Sequence, residues 1–292
     1  MAKGSVAKNI KLSGYDDLFG NNVSENAADH IIEVPLSDLH DFKDHPFRVL
    51  DDEKMEETTE SIRQCGVLEP GIARPRAEGG YEIISGHRRK RASELAGKAT
   101  MPVIVRNYSD DEATIIMADS NIQREDILPS EKAKAYAMKY EAMKHQGKKA
   151  GGRTIEEMGE TAGESAKTVQ RYIWLSRLTD ELLDMVDRKK LGFVQGIDIS
   201  FLTKEAQGWV YERISAENVS VTTAQSAKLK EYGKDCALTA TMVKLILAEE
   251  KPKERRVTIK SDKISQYFAD NYSNEEIENI IYQLLDEWRS RQ

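Results

Sequence analysis

Two stretches of the chain carry side chains suited to holding a phosphorylated ligand. The first is Ser85-Gly86-His87-Arg88-Arg89-Lys90-Arg91, between the apolar run Tyr81-Glu-Ile-Ile84 and a segment of helical character. A glycine ahead of a helix start lets the backbone approach an anion, and the first N–H groups of the helix have no intrahelical acceptor. Arg88 and Arg89 add planar donors that match phosphate oxygens. Gly86 to Arg106 holds six basic residues and one acid, a net +5. Ser85, Gly86, His87, Arg88 and Arg89 therefore form a candidate anion site, while Lys90 and Arg91 read as a solvated face. The second stretch is Ser120-Asn-Ile-Gln-Arg124-Glu-Asp. The Asn121 amide oxygen is a ligand type for Mg²⁺ beside a nucleotide phosphate. Arg124 can reach a second phosphate or lock the loop. Taken alone, Asn121 reads better as an ordinary left-handed cap at a helix end.

A third stretch suits DNA. Ile155 to Tyr172 reads IEEMGETAGESAKTVQRY. A helix-turn-helix needs a small residue where its helices touch and a turn residue tolerating positive φ. It also needs apolar residues on the inner face of the second helix. Gly159, Gly163 and the pair Val169/Tyr172 meet these needs, and Ser165 is a natural N-cap. Ser165, Lys167, Thr168, Gln170 and Arg171 are then the candidates for base edges and phosphates. Lys144 to Arg153 carries four basic residues, three glycines and no acid. It reads as a flexible basic connection in which Lys148, Lys149 and Arg153 add phosphate affinity. A plain helical hairpin would show the same glycine turn.

The elements that must position these residues follow from periodicity. Ile31–Val34, Ile72–Arg74, Tyr81–Ile84 and Met101–Val105 read as strands. Asp52–Gln64 and Arg88–Ala96 read as helices, closed by Gly66 and Gly97. Ser109…Glu112 is a capping box opening a helix to about Asn121, Pro129-Ser130 opens another to about His145, and Thr154…Glu157 is a further capping box. Short helices continue to about Glu250. The expected class is α+β and mostly helical. The domains are a polar tail (1–30), a small α/β domain (31–125) and a helical DNA-binding domain (126–250) with its helix-turn-helix at 155–177. A basic linker (251–256) and a strand-plus-helix segment (257–292) follow. In that last segment the strand is Val257–Lys260. Ser273…Glu276 caps a helix with Ile277, Ile280, Ile281, Leu284, Leu285 and Trp288 on one side, an apolar face that a second copy would cover.

Composition narrows the function classes. The 292 residues are 39% apolar and 32% charged, with 43 basic and 50 acidic side chains and a net charge of −7. Typical domains are about 45–50% apolar. The chain has material for small cores, and nucleic-acid affinity must come from local patches. No apolar run approaches the ~20 residues of a membrane helix. Two cysteines without metal or disulfide spacing point to a reducing cytoplasm.

The motifs, in this order, resemble the ParB family of partition proteins. Gly66-Val-Leu-Glu-Pro70 precedes a strand, GHRRKRA stands at 86–92, SNIQREDI at 120–127, and a helix-turn-helix follows. The resemblance covers roughly residues 30–180. It implies a ParB/sulfiredoxin-like N-terminal fold, a homodimer, a palindromic centromere-like DNA site and a ParA-type ATPase partner, with the tail as its docking peptide. It also implies CTP with Mg²⁺ in the N-terminal domain, closing a clamp that slow CTP hydrolysis reopens. By motif match Gly86, Arg88 and Arg89 would cradle phosphates, Asn121 would face the metal, Arg124 would support the phosphates and Gly66 would let the chain approach the nucleotide. The family commonly has GERR and ENxQR. His87 and Ser120 replace those glutamates here, which removes two carboxylates from the expected site of hydrolysis. Two other classes compete. One is a helix-turn-helix regulator that uses no nucleotide. The other is an enzyme of sulfiredoxin type, disfavoured because His87 stands where such enzymes place cysteine.

Overall fold

The computed structural model describes residues 31–124, 126–147, 152–217, 219–234, 238–248, 261–264, 266–268 and 272–291. It divides into a unit up to Ala248 and a unit from Glu249. In the first, β1 (Ile31–Pro35), β2 (Leu39–Asp41), β3 (Gly71–Pro75), β4 (Tyr81–Ser85) and β5 (Thr100–Val105) form a sheet of order β1-β5-β3-β4-β2. The β1/β5 and β3/β4 pairs are antiparallel, and β3/β5 and β4/β2 are parallel. The first, third, fourth and fifth strands fall where periodicity expected them. β2 was not anticipated: three residues are too few to show an alternation.

Two helices serve the sheet. α1 (Glu53–Cys65) starts at Asp52, whose carboxylate accepts from the Met55 N–H, and stops at Gly66 with φ +74°. α2 (His87–Leu95) starts at Gly86, which has φ +111° and gives the helix no side-chain cap. Neighbouring strand residues face opposite sides, and Ile83 and Ile84 show it. Ile83 packs with Val34, Leu39, Met101 and Val103. Ile84 and Ile72 join a second cluster that runs through the helices that follow.

Those helices are α3 (Asp110–Ile122), α4 (Pro129–His145), α5 (Gly152–Ala162) and α6 (Ala166–Leu175). Ser109 and Glu112 form the expected capping box. The Thr154…Glu157 box does not start α5: the helix begins at Gly152, so Thr154 is a buried interior residue. The Ile72/Ile84 cluster includes Met117, Tyr136, Met158, Val169 and Ile173, so one apolar core is continuous from the sheet to both helices of the helix-turn-helix. A further core joins Leu175 to α7 (Asp180–Asp187), α8 (Phe193–Ile199), α9 (Lys204–Glu217), α10 (Thr223–Gly233) and α11 (Ala240–Ala248).

The second unit contains α12 (Ser261–Ile264) and α13 (Asn274–Ser290). α13 opens on the expected Ser273/Glu276 capping box, and within its own unit it leaves Leu284, Leu285 and Trp288 exposed. The expected tail at 1–30, linker at 251–256 and strand at 257–260 lie outside the described residues.

Candidate functional site

The two phosphate-type motifs meet. A cavity of about 160 Å³ is lined by Ser85, Gly86, His87, Arg88 and Arg89 from the start of α2 and by Ser120, Asn121 and Arg124 from the end of α3. The fold makes this contact through the sheet: β4 delivers Ser85-Gly86 to its edge, and α3 packs across the same strand through Ile84. Gly86 is required twice over. Its φ lies in the region that side chains avoid, and a Cβ there would stand 3.2 Å from the Gly71 Cα.

The arginines are held by internal partners. Arg88 Nη2 lies 3.1 Å from Asp52 Oδ1, tying the α2 start to the α1 N-cap. This guanidinium holds the Asp52 carboxyl below the usual range. Arg89 Nη1 donates to the carbonyls of Glu69 (2.7 Å) and Pro70 (2.9 Å). Arg124 Nη1 donates to Asn121 Oδ1 at 3.3 Å, and Asn121 Nδ2 donates to the Met117 carbonyl at 2.9 Å. Asn121 is therefore an interior helical residue, not a left-handed cap; the non-glycine residues with positive φ among those described are Asp44 and Lys189. Gly66 ends α1 and lies outside the lining, with Arg89 fastening the loop it begins.

Four lining residues were not anticipated: His45, Phe47, Arg48 and Val49, from the irregular segment between β2 and α1. With Arg48 the lining carries, among the described residues, four guanidinium groups and no carboxylate. It suits a polyanion. A bare divalent cation does not fit; a metal enters only with a ligand that brings its own negative charge, and Asn121 Oδ1 is then the protein oxygen of suitable type.

His87 is a buried neutral ring. It stacks on His45 with ring centroids 3.8 Å apart, and its Nε2 faces the Phe42 N–H at 3.5 Å. Burial, then the neighbouring His45, lowers its pKa to about 3. Burial lowers His45 as well. The pair packs one wall of the cavity, and burial favours the neutral form of both rings.

The helix-turn-helix has the geometry its sequence required. A Cβ on Gly159 would stand 2.6 Å from the Glu164 carbonyl oxygen, so the helices close only over glycine. Gly163 takes φ +70°. Ser165 Oγ accepts from the Thr168 N–H at 3.1 Å. Val169 is fully buried, whereas Lys167 and Arg171 are exposed and Thr168 and Gln170 half-buried. Lys167, Gln170 and Arg171 have no hydrogen bond or ion pair among the described residues. The turn is anchored from α4: Tyr136 Oη donates to Glu164 Oε2 at 2.9 Å, and Lys132 pairs with Glu164. Lys148 and Lys149 lie outside the described residues, and Arg153 is placed only as a backbone position in the first turn of α5.

Residues 20–122 match the ParB N-terminal domain family. The stage 0 sporulation protein J of Bacillus subtilis is 30% identical over 209 residues, 71% of this chain and 70% of that protein. A probable chromosome 1-partitioning protein ParB of Deinococcus radiodurans is 32% identical over 190 residues, 65% of this chain but 62% of that protein. C-terminally truncated ParB of Caulobacter crescentus has been solved with its centromeric parS site and with CTP-γ-S. These two structures are 25% and 26% identical to the chain, with TM-scores of 0.42 and 0.31, and each comparison covers 68% of this chain and 98% of the other. No helix among the described residues is long and apolar enough to cross a membrane. With the glycine–arginine cradle, the asparagine–arginine turn and the helix-turn-helix in one continuous fold, and with relatives of this extent, the chain belongs to the ParB family of chromosome-partitioning proteins.

Proposed function

We propose that this chain is a partition protein that reads a palindromic, centromere-like DNA site with α6 and holds CTP with Mg²⁺ in the cavity between α2 and α3. The observation that carries this reading is the convergence of residues 85–89 and 120–124 on one four-arginine cavity, in the same packed unit as a helix-turn-helix whose second helix exposes Lys167 and Arg171. Family membership and the Deinococcus relative support the partition role.

Bound nucleotide would supply the negative charge that Mg²⁺ needs. The chain's own part is to present Gly86 backbone and the Arg88 and Arg89 donors to the phosphates, and to turn Asn121 Oδ1 from Arg124 to the metal. With His87 and Ser120 standing where the family commonly has glutamates, and no carboxylate among the described lining residues, the site is arranged for binding, and any hydrolysis is slow. The Leu284/Leu285/Trp288 face of α13 is the dimer contact in this reading, and a palindrome matches the two-fold axis of a dimer. The partner ATPase is of ParA type, by family.

Calorimetry with CTP and Mg²⁺, in the presence of a DNA duplex selected by the protein from a random pool, tests the reading. Binding at micromolar Kd, about −6 to −8 kcal/mol, and its absence with ATP or GTP, are expected. DNA binding with no CTP binding would leave a helix-turn-helix regulator on a ParB-like scaffold.

A further inference from the structure

The turn that closes the cavity also touches the DNA-reading unit. Within Ser120 to Arg124, three residues line the cavity and two, Ile122 and Gln123, do not. Gln123 points the other way: its Nε2 donates to the Thr161 carbonyl at 3.0 Å. Thr161 sits in the last turn of α5, where carbonyls have no intrahelical N–H donor to satisfy them. Two residues later comes Gly163, and then Glu164, which α4 grips through Tyr136 and Lys132. We propose that Gln123 is a positioning residue, the link by which an occupied cavity shifts the first helix of the helix-turn-helix.

The chemistry has a definite order. Arg124 donates to Asn121 Oδ1 at 3.3 Å, a long contact. Phosphate oxygens are stronger acceptors for a guanidinium than an amide oxygen is. A nucleotide that takes Arg124 therefore releases Asn121, and the turn between them re-forms around the ligand. Gln123 lies inside that turn, so its amide moves with it, and the Thr161 carbonyl either follows or loses its partner. The shared apolar core gives the movement a rigid medium: Ile84 beneath the cavity and Met158 in α5 belong to one cluster. Other ties between these parts of the fold do not pass through Gln123. The Arg48 N–H donates to Glu131 Oε1 at 2.9 Å, and Ser130 donates to Asp187 from both N (2.9 Å) and Oγ (2.5 Å). The fold therefore survives the loss of Gln123, and Ile122 still packs in the core it shares with α5, while the side-chain hydrogen bond from the turn to the end of α5 is lost.

The inference rests on the nucleotide-and-DNA reading above, and its test separates the two. The affinity for CTP-γ-S with Mg²⁺ is measured with and without the selected DNA duplex, and the affinity for DNA with and without nucleotide. Linkage requires both ratios to be the same factor. A neutral hydrogen bond to a backbone carbonyl is worth about 0.5–1.5 kcal/mol, so Gln123→Ala is expected to cut that factor about twofold to tenfold. Each ligand's affinity measured alone, and Tm, should stay near wild type. Gln123→Lys, which keeps an N–H donor on a long stem, should restore part of the factor, and Gln123→Glu, which has no donor when ionised, should not. An unchanged factor in Gln123→Ala overturns the inference and leaves the function standing. A factor lost together with Tm and both separate affinities also overturns it, in favour of a purely structural tie. A wild-type protein that binds no CTP-γ-S under either condition overturns the nucleotide reading and this inference with it.

Discussion

The cavity and α6, the helix proposed to read DNA, are both cationic, but they hold their charge differently. In the cavity Arg88, Arg89 and Arg124 all donate to internal acceptors, namely the Asp52 carboxylate, two loop carbonyls and an asparagine amide. On α6, Lys167, Gln170 and Arg171 stand without partners among the described residues, on a scaffold fixed by Gly159, Gly163 and the Glu164 anchor. An anion entering the cavity must displace bonds already made, so only the surplus appears as affinity. A DNA phosphate or base meets donors that have nothing to give up but water. In the proposed reading the cavity rearranges on binding, and α6 stays as it is.

The sharpest break of this contrast is at Arg89. Arg89→Ala removes two bonds to the 69–70 loop together with the ligand contact, and charge-assisted bonds are worth about 1.5–3 kcal/mol each. CTP binding should fall below detection in calorimetry, with DNA binding retained. Next is the anchor of the reading head. Glu164→Ala leaves the Tyr136 hydroxyl, which is buried and held protonated by burial and by that carboxylate, without an acceptor. A loss of about 1–3 kcal/mol in denaturant unfolding is expected, along with weaker DNA binding and unchanged CTP binding in a protein that still folds. Arg171→Ala should cost about 1–3 kcal/mol on the selected duplex and relax specificity at one position, with no change in Tm. A gel-shift series on variant sites reads it.

Much of the cavity is readable from the sequence, because Gly86 with Arg88-Arg89 and Asn121 with Arg124 are local signals, each complete within a few residues. The opposite wall is not. His45, Phe47, Arg48 and Val49 sit in a segment with no period, and nothing local says they face α2. Their placement comes from long-range bonds: Phe42 to His87, Lys43 to Glu82 and Arg48 to Glu131. The helix-turn-helix was legible in full at its two glycines and its N-cap, since sterics at Gly159 and φ at Gly163 permit little else. The start of α5 was misplaced because Thr154 and Glu157 have capping-box spacing inside a helix that begins earlier, at Gly152. The interior helical place of Asn121 was equally out of reach, since a left-handed cap and a last-turn residue look alike in sequence.

The smallest effect concerns pH and the histidine wall. His87 has its pKa lowered to about 3 in the fold, from an ordinary value near 6.5. Between those values the unfolded chain binds the proton and the folded one does not, so stability rises with pH across that window and is lost as pH falls through about 6.5. Tm should drop from pH 7.5 to pH 5.5 in the wild type. In His87→Gln, which keeps an acceptor for the Phe42 N–H, the drop should be shallower. Nucleotide affinity between pH 7 and 8 should not follow the ring.

The wall of the cavity also has a place in time. Its three backbone tethers reach to residues 82, 87 and 131, across 39, 45 and 83 positions of chain. Contacts closed over such separations come after local ones. On the ribosome, the segment around Arg48 is synthesised early, yet it cannot settle until Glu131 and the first turn of α4 have left the exit tunnel. The sheet can pair beforehand, because β5 ends at Val105. The nascent chain therefore passes through a stage in which the strands are built and the pocket is still open on one side, completed only when the connection toward the DNA-reading half has been made.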